Sequence, residues 1–141
     1  MSVDSSLIDE ALVSLLLNDG TLAALMPDGV WFDVAAQDAQ RFVIVSLVEE
    51  HDDEVFNARA FENPLYAVKA VALSTSGGDV KTAAARIDAL LEQGSLGTVA
   101  GYSITGLFRE ARIRYSEVDG VDPSIRWQHR GGHYRIVAGL T

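Results

Sequence analysis

The sequence predicts an α+β fold, a mostly antiparallel sheet of about four to five strands with two main helices packed on one face. Three observations carry this. Residues 64–94 read in order as a strand, a glycine turn and an amphipathic helix. The early segment LIDEALVSLLLND repeats apolar residues at spacing four, the mark of a helix with one buried stripe. The remaining apolar segments are long, β-branched and aromatic, and they lie in the order α, β, β, α, β, β.

The first helix is expected over residues 6–18, where Leu7, Ala11 and Leu15 run beside Ile8, Leu12 and Leu16, and where Asp19-Gly20 ends it. Thr21 then caps a short turn, TLAALM, stopped by Pro27. Val30-Trp31-Phe32-Asp33 is a short extended piece, and residues 35–40 are a loop. RFVIVSLV, residues 41–48, is apolar at nearly every position, so a strand covered on both faces is expected. Residues 55–63 are polar and read as irregular, with a hairpin tip at 57–60.

The long strand covers residues 65–73. Tyr66, Val68, Ala70 and Ala72 share one face, and Leu65, Ala67, Lys69, Val71 and Leu73 the other. Residues 74–78 make the glycine turn. Residues 79–93 make the second helix, with Asp79 as its cap, Gly94 as its stop, and a stripe of Val80, Ala83, Ala84, Ile87, Leu90 and Leu91. Residues 94–101 are a loop. Residues 102–117 are a strand in which Phe108, Glu110, Arg112 and Arg114 alternate with Arg109, Ala111, Ile113 and Tyr115. After a turn at 118–123, residues 124–140 form the last strand region. Gly131-Gly132 there is either a bend in one long strand, the favoured reading, or a two-residue hairpin turn.

A chain of 141 residues is most simply one domain, spanning 1–141. It contains no Cys, which excludes disulfides, thiol catalysis and Cys-ligated zinc. Met1-Ser2-Val3-Asp4 carries no basic region, so a secretory signal is not expected. The run Leu15-Leu16-Leu17 is far shorter than the ~20 residues of a membrane span, and no membrane partner is expected. The net charge is −9, from 20 acidic and 11 basic residues, which repels phosphates and anionic lipid at long range. Protein partners, rather than sequence-specific nucleic acid binding, are the expectation.

No catalytic constellation is expected, and no cofactor. Residues 49–54 hold five carboxylates but lack the glycine and spacing of a calcium loop. His129 and His133 would lie about 13 Å apart on one strand face, too far for one metal. Gly77-Gly78 precedes a helix without a phosphate-binding signature. Charge is nevertheless uneven. The first half is acid-rich, while Arg109, Arg112, Arg114, Arg126, Arg130 and Arg135 crowd the last third. The interface candidates are Glu49, Glu50, Asp52, Asp53, Glu54, Arg59 and Phe61 on one side, and Arg109, Arg112, Arg126, Trp127 and Arg130 on the other. Tryptophan among arginines is the composition of a protein-interface anchor.

Four features together resemble the tail-completion, or tail-terminator, proteins of long-tailed bacteriophages: the first helix leading into TLAALMPDGVWFDVA, the strand RFVIVSLVEE, the long strand feeding DVKTAAARIDALLEQG, and the closing arginine-bearing strands. The resemblance implies a non-enzymatic virion structural protein. It would form a homo-oligomeric ring, usually a hexamer, that caps the tail tube, ends its polymerisation and docks to the head. The implied partners are other copies, the major tail tube protein and the head-tail connector protein. The implied location is the virion tail or neck, assembled in the bacterial cytoplasm. It also implies a mobile loop that orders on assembly, placed at residues 50–62. The acidic segment meeting Arg109, Arg112, Arg126 or Arg130 of a neighbour is the expected ring contact. Two other readings stand beside it: a head-completion or neck adaptor, and a small divalent-cation-binding domain using the acidic cluster.

Overall fold

The structure, a computed structural model, describes residues 6–55, 58–73, 78–92 and 94–140, with side chains at 50–61 outside the description. Its elements are α1 (Ser6–Leu17), α2 (Gly20–Leu25), β1 (Val30–Phe32), β2 (Arg41–Val55), β3 (Ala58–Leu73), α3 (Gly78–Leu91), β4 (Tyr102–Val118) and β5 (Arg126–Leu140). The strands form one sheet in the order β1-β2-β3-β5-β4. Only the short β1–β2 pair is parallel. This is the α+β architecture the sequence predicts.

All three helices lie on one face of the sheet. Ile8, Leu12 and Leu16 of α1, Leu22 of α2, and Val80, Ala83, Ile87 and Leu91 of α3 are buried there. They meet Val43, Val45, Tyr66, Val68, Ala70, Ala72, Leu107, Tyr134, Ile136 and Ala138 from the strands. Each large aliphatic side chain in this layer contributes about 1.5–3 kcal/mol by leaving water. On the other face Ala39, Phe42 and Val71 pack with Trp31, Ile44 and Trp127 near one end, and Leu65, Ala67 and His129 are buried as well. RFVIVSLV is therefore covered on both faces only at its start, because Leu47 and Val48 are exposed.

Capping differs from expectation at two places. Asp19, not Thr21, caps α2: its carboxylate accepts the Leu22 N–H at 2.9 Å. Gly20 opens that helix rather than closing α1. Asp79 lies inside the first turn of α3 rather than before it, and pairs with Arg41 at 3.1 Å. A carboxylate in the first turn still faces the positive end of the helix dipole. The expected glycine turn before Gly78 and the last residue of the second helix, Gln93, fall outside the described residues.

The irregular stretch expected at 55–63 is also corrected, and residues 50–55 and 58–62 of the segment expected to be a loop lie in strands. The β2–β3 ladder continues through Glu50↔Pro64 and Asp53↔Phe61 to Val55↔Ala58, with bulges between Leu47 and Glu49 and between Asp53 and Glu54. Backbone pairing satisfies the main chain whatever the side-chain pattern, so a polar sequence does not prevent a ladder. At its base Glu62 is buried and accepts the Tyr102 hydroxyl at 2.7 Å. Residue 57 of the expected tip is outside the description, and residues 58–60 lie in β3.

β5 is one continuous strand through Gly131 and Gly132, which rules out the hairpin turn. It is also central, paired with β3 on one side and β4 on the other. A Cβ on Gly131 would collide with the Val68 carbonyl, and one on Gly132 would meet the Ala111 carbonyl at 2.8 Å. The two glycines allow neighbouring backbones to approach at the middle of the sheet.

Candidate functional site

The alternation expected along β4 does not hold, and its failure builds the site. Bulges interrupt β4 between Ile104 and Gly106 and between Arg109 and Ala111. Arg109 lies opposite Tyr134, Arg112 opposite Gly132 and Arg114 opposite Arg130. Positions 130, 132 and 134 of β5 share a face, so Arg109, Arg112, Arg114 and Arg130 all share the helix face. In an unbroken strand Arg109 would point away from Arg112 and Arg114. The extra residue, Glu110, restores the parity. It pairs instead with Arg135, whose guanidinium it meets at 2.7 Å.

These arginines line a cleft of about 360 Å³ between α3 and the β4–β5 edge. α3 contributes Lys81, Ala84, Ala85 and Asp88; β4 contributes Arg109, Arg112, Ile113 and Arg114; β5 contributes Arg130, Gly131 and Tyr134. Five cations against one carboxylate is a strong excess in a chain that carries only 11 Lys and Arg and a net charge of −9.

The lone carboxylate is already engaged. Asp88 accepts the Arg109 guanidinium at 2.6 Å and the Tyr134 hydroxyl at 2.9 Å. Burial, reinforced by the bond to Asp88, pushes the Tyr134 phenol well above its ordinary value. The Asp88 bond likewise raises Arg109. Glu92 accepts the Arg109 backbone N–H. The side chains of Lys81, Arg112, Arg114 and Arg130 have no ion pair or hydrogen bond among the described residues. The cleft thus has an organised inner wall and four uncommitted positive charges.

The other interface candidates are dispersed. Glu49 meets Arg135 at 2.7 Å. Arg126 donates to the Pro123 carbonyl. Trp127 is half-buried, donates to Asp119 at 2.9 Å and packs on Phe42 with centroids 6.1 Å apart. The backbone of Glu50, Asp52, Asp53, Glu54, Arg59 and Phe61 lies in the β2–β3 ladder, while their side chains fall outside the description. Sequence reasoning passed over Lys81 and left Arg114 out of the interface set. Lys81 directly follows Val80 of the apolar stripe and gives no sign that it flanks β4.

On the opposite face His129 stacks on Tyr115 with ring centroids 4.3 Å apart, and its Nε2 lies 3.1 Å from Glu117. Burial lowers the His129 pKa, and the Glu117 contact only partly offsets this. His129 Nδ1 is buried without a partner among the described residues.

The fold has solved counterparts. It is shared with a virion chain. A chain from the virion of the native gene transfer agent (GTA) particle superposes with a TM-score of 0.69 and 17% identity, covering 99% of this chain and 99% of that one. A second solved chain matches at a TM-score of 0.57 and 12% identity over 96% of each. No protein-family model matches the sequence, and no curated protein does. At these identities the likeness is one of fold.

Proposed function

We propose that this chain is a virion structural protein of the tail-terminator kind, a ring-forming subunit that caps the tail tube, ends its growth and presents a surface to the head. The observation that carries this reading is the correspondence in fold with a chain of a GTA virion over 99% of each chain. The four-part sequence resemblance points the same way. A ring subunit must also offer two different surfaces that fit each other on successive copies. This chain has an acid-rich strand end and a cation-rich cleft on different strands.

The mechanism is a saturating addition. One face of the ring matches the last turn of the tube, and the other does not accept another tube ring. The partners are further copies of this chain, the tail tube protein and the head-tail connector protein, and no catalytic step is involved. The test is to assemble the tail tube protein of the same virus with and without this chain and to measure tube lengths by electron microscopy. Shorter tubes with a capping density at one end are expected. An unchanged length distribution with bare ends overturns the reading. Binding to connector rings alone transfers the chain to the neck-adaptor class.

A further inference from the structure

We infer that the cleft between α3 and the β4–β5 edge is the seat for residues 50–55 of a second copy of this chain; the inference rests on the ring reading above and specifies its contact. Three observations carry it. The first is chemical. Lys81, Arg112, Arg114 and Arg130 stand without partners among the described residues, in a recess only about 360 Å³ in volume. Four uncommitted cations this close repel one another, and a set of carboxylates relieves that repulsion. The end of β2 carries Glu50, Asp52, Asp53 and Glu54 in sequence, four carboxylates for four cations.

The second observation is placement. Asp53 pairs with Phe61, while Arg114 is level with Arg130 and Ala70. Phe61 and Ala70 are nine residues apart on β3, which is about 30 Å along the strand. The acidic end also lies on the far side of β3 from β4. A chain cannot fill its own cleft with this segment, but a neighbour can. The contact is therefore head-to-tail, the kind that closes into a ring when the rotation permits.

The third observation is the sheet edge. β1 pairs with Val43, Ile44 and Val45, so among the described residues no strand pairs with the acidic part of β2 on that side. β4 is the opposite edge of the same sheet. Both halves of the contact thus belong to strands at the borders of the sheet. Nucleic acid is the other polyanion that suits such a cleft, and it is disfavoured by the −9 field of the whole chain.

The native chain has no Cys, so single cysteines report the contact cleanly. Copies carrying Arg114→Cys are mixed at high concentration with copies carrying Asp53→Cys and oxidised. A disulfide-linked pair at twice the chain mass is expected, well above the yield with Leu17→Cys as the second copy. Adding Arg112→Glu and Arg130→Glu to the cleft copy should cut the yield about tenfold, as inverted steering charges do. Adding Glu50→Arg and Asp52→Arg to the other copy should restore it. Lys81→Glu, on the solvent side of α3, repeats the test if the double variant does not fold. A yield no higher than the Leu17 control overturns the inference. So does a short DNA duplex that binds the native cleft and is released by Arg112→Glu with Arg130→Glu. Capping and cleft contact fail separately: cross-linked copies that leave tubes uncapped sink the terminator reading alone, while R112E/R130E copies that still cap tubes sink this inference alone.

Discussion

Asp88 on α3 and Arg109 on β4 meet at 2.6 Å, and the same carboxylate oxygen accepts the Tyr134 hydroxyl from β5 at 2.9 Å. One side chain thus joins three elements and neutralises one arginine of the cleft while leaving four cations unmatched. Asp88→Ala removes the acceptor of the largely buried Tyr134 hydroxyl, a loss of about 1–2 kcal/mol. The expected result is a melting temperature lower by several degrees, with Tyr134→Phe costing less because Asp88 and Arg109 stay paired. Equal melting of Asp88→Ala and the native chain would show that the three-way contact contributes nothing.

Ile87 is fully buried in the stripe that seats α3 on the sheet. Ile87→Ala leaves a cavity there and is expected to cost about 2–5 kcal/mol. Urea unfolding checks this through a lower midpoint at an unchanged slope. A loss below half a kilocalorie per mole, on the order of a surface change, would contradict the packing described.

Gly131 leaves no room for a side chain against β3: a Cβ there would collide with the Val68 carbonyl oxygen. Gly131→Val is expected to destabilise the sheet or prevent folding, since the clash is with the Val68 main chain and not with a side chain that can turn aside. Gly120→Ala, in open space, is the matched control and should melt like the native chain. Soluble, native-like melting of Gly131→Val would refute the close approach.

The buried ring of His129 makes stability depend on pH in a set direction. Burial lowers its folded pKa below the unfolded value of 6.5. The unfolded chain therefore takes up the proton first, and stability present above about pH 6.5 is lost as pH falls through the folded pKa. Glu117, Tyr115 and Lys69 are the groups that face the ring. His129→Gln should flatten the stability curve in that window while leaving the separate loss at more acidic pH. That second loss comes in part from Asp19, held below its usual range by the Arg86 guanidinium, whose stabilisation goes as pH falls below about 3.8. A native-like slope in His129→Gln would assign the effect to other groups.

The opposition of Tyr66, Val68, Ala70 and Ala72 to Val71 could be read directly, because apolar residues at period two fix which face of a strand is buried. The α3 stripe was legible for the same reason at a period of 3.6: Val80, Ala83, Ile87 and Leu91 are the buried positions. The ladder through residues 50–55 and 58–62 was not legible. Its pairing is between backbones, and its side chains carry no apolar alternation to announce it.

The sequence by itself therefore determined the element types, the one-sided helix layer, the α+β class and the uneven charge, because each follows from local period and composition. Only the tertiary structure decided that Arg109, Arg112, Arg114 and Arg130 share a face with Lys81 beside them. That depends on one extra residue at Glu110, which shifts register against β5. A bulge of this kind is a property of two paired strands, and no spacing within one strand encodes it.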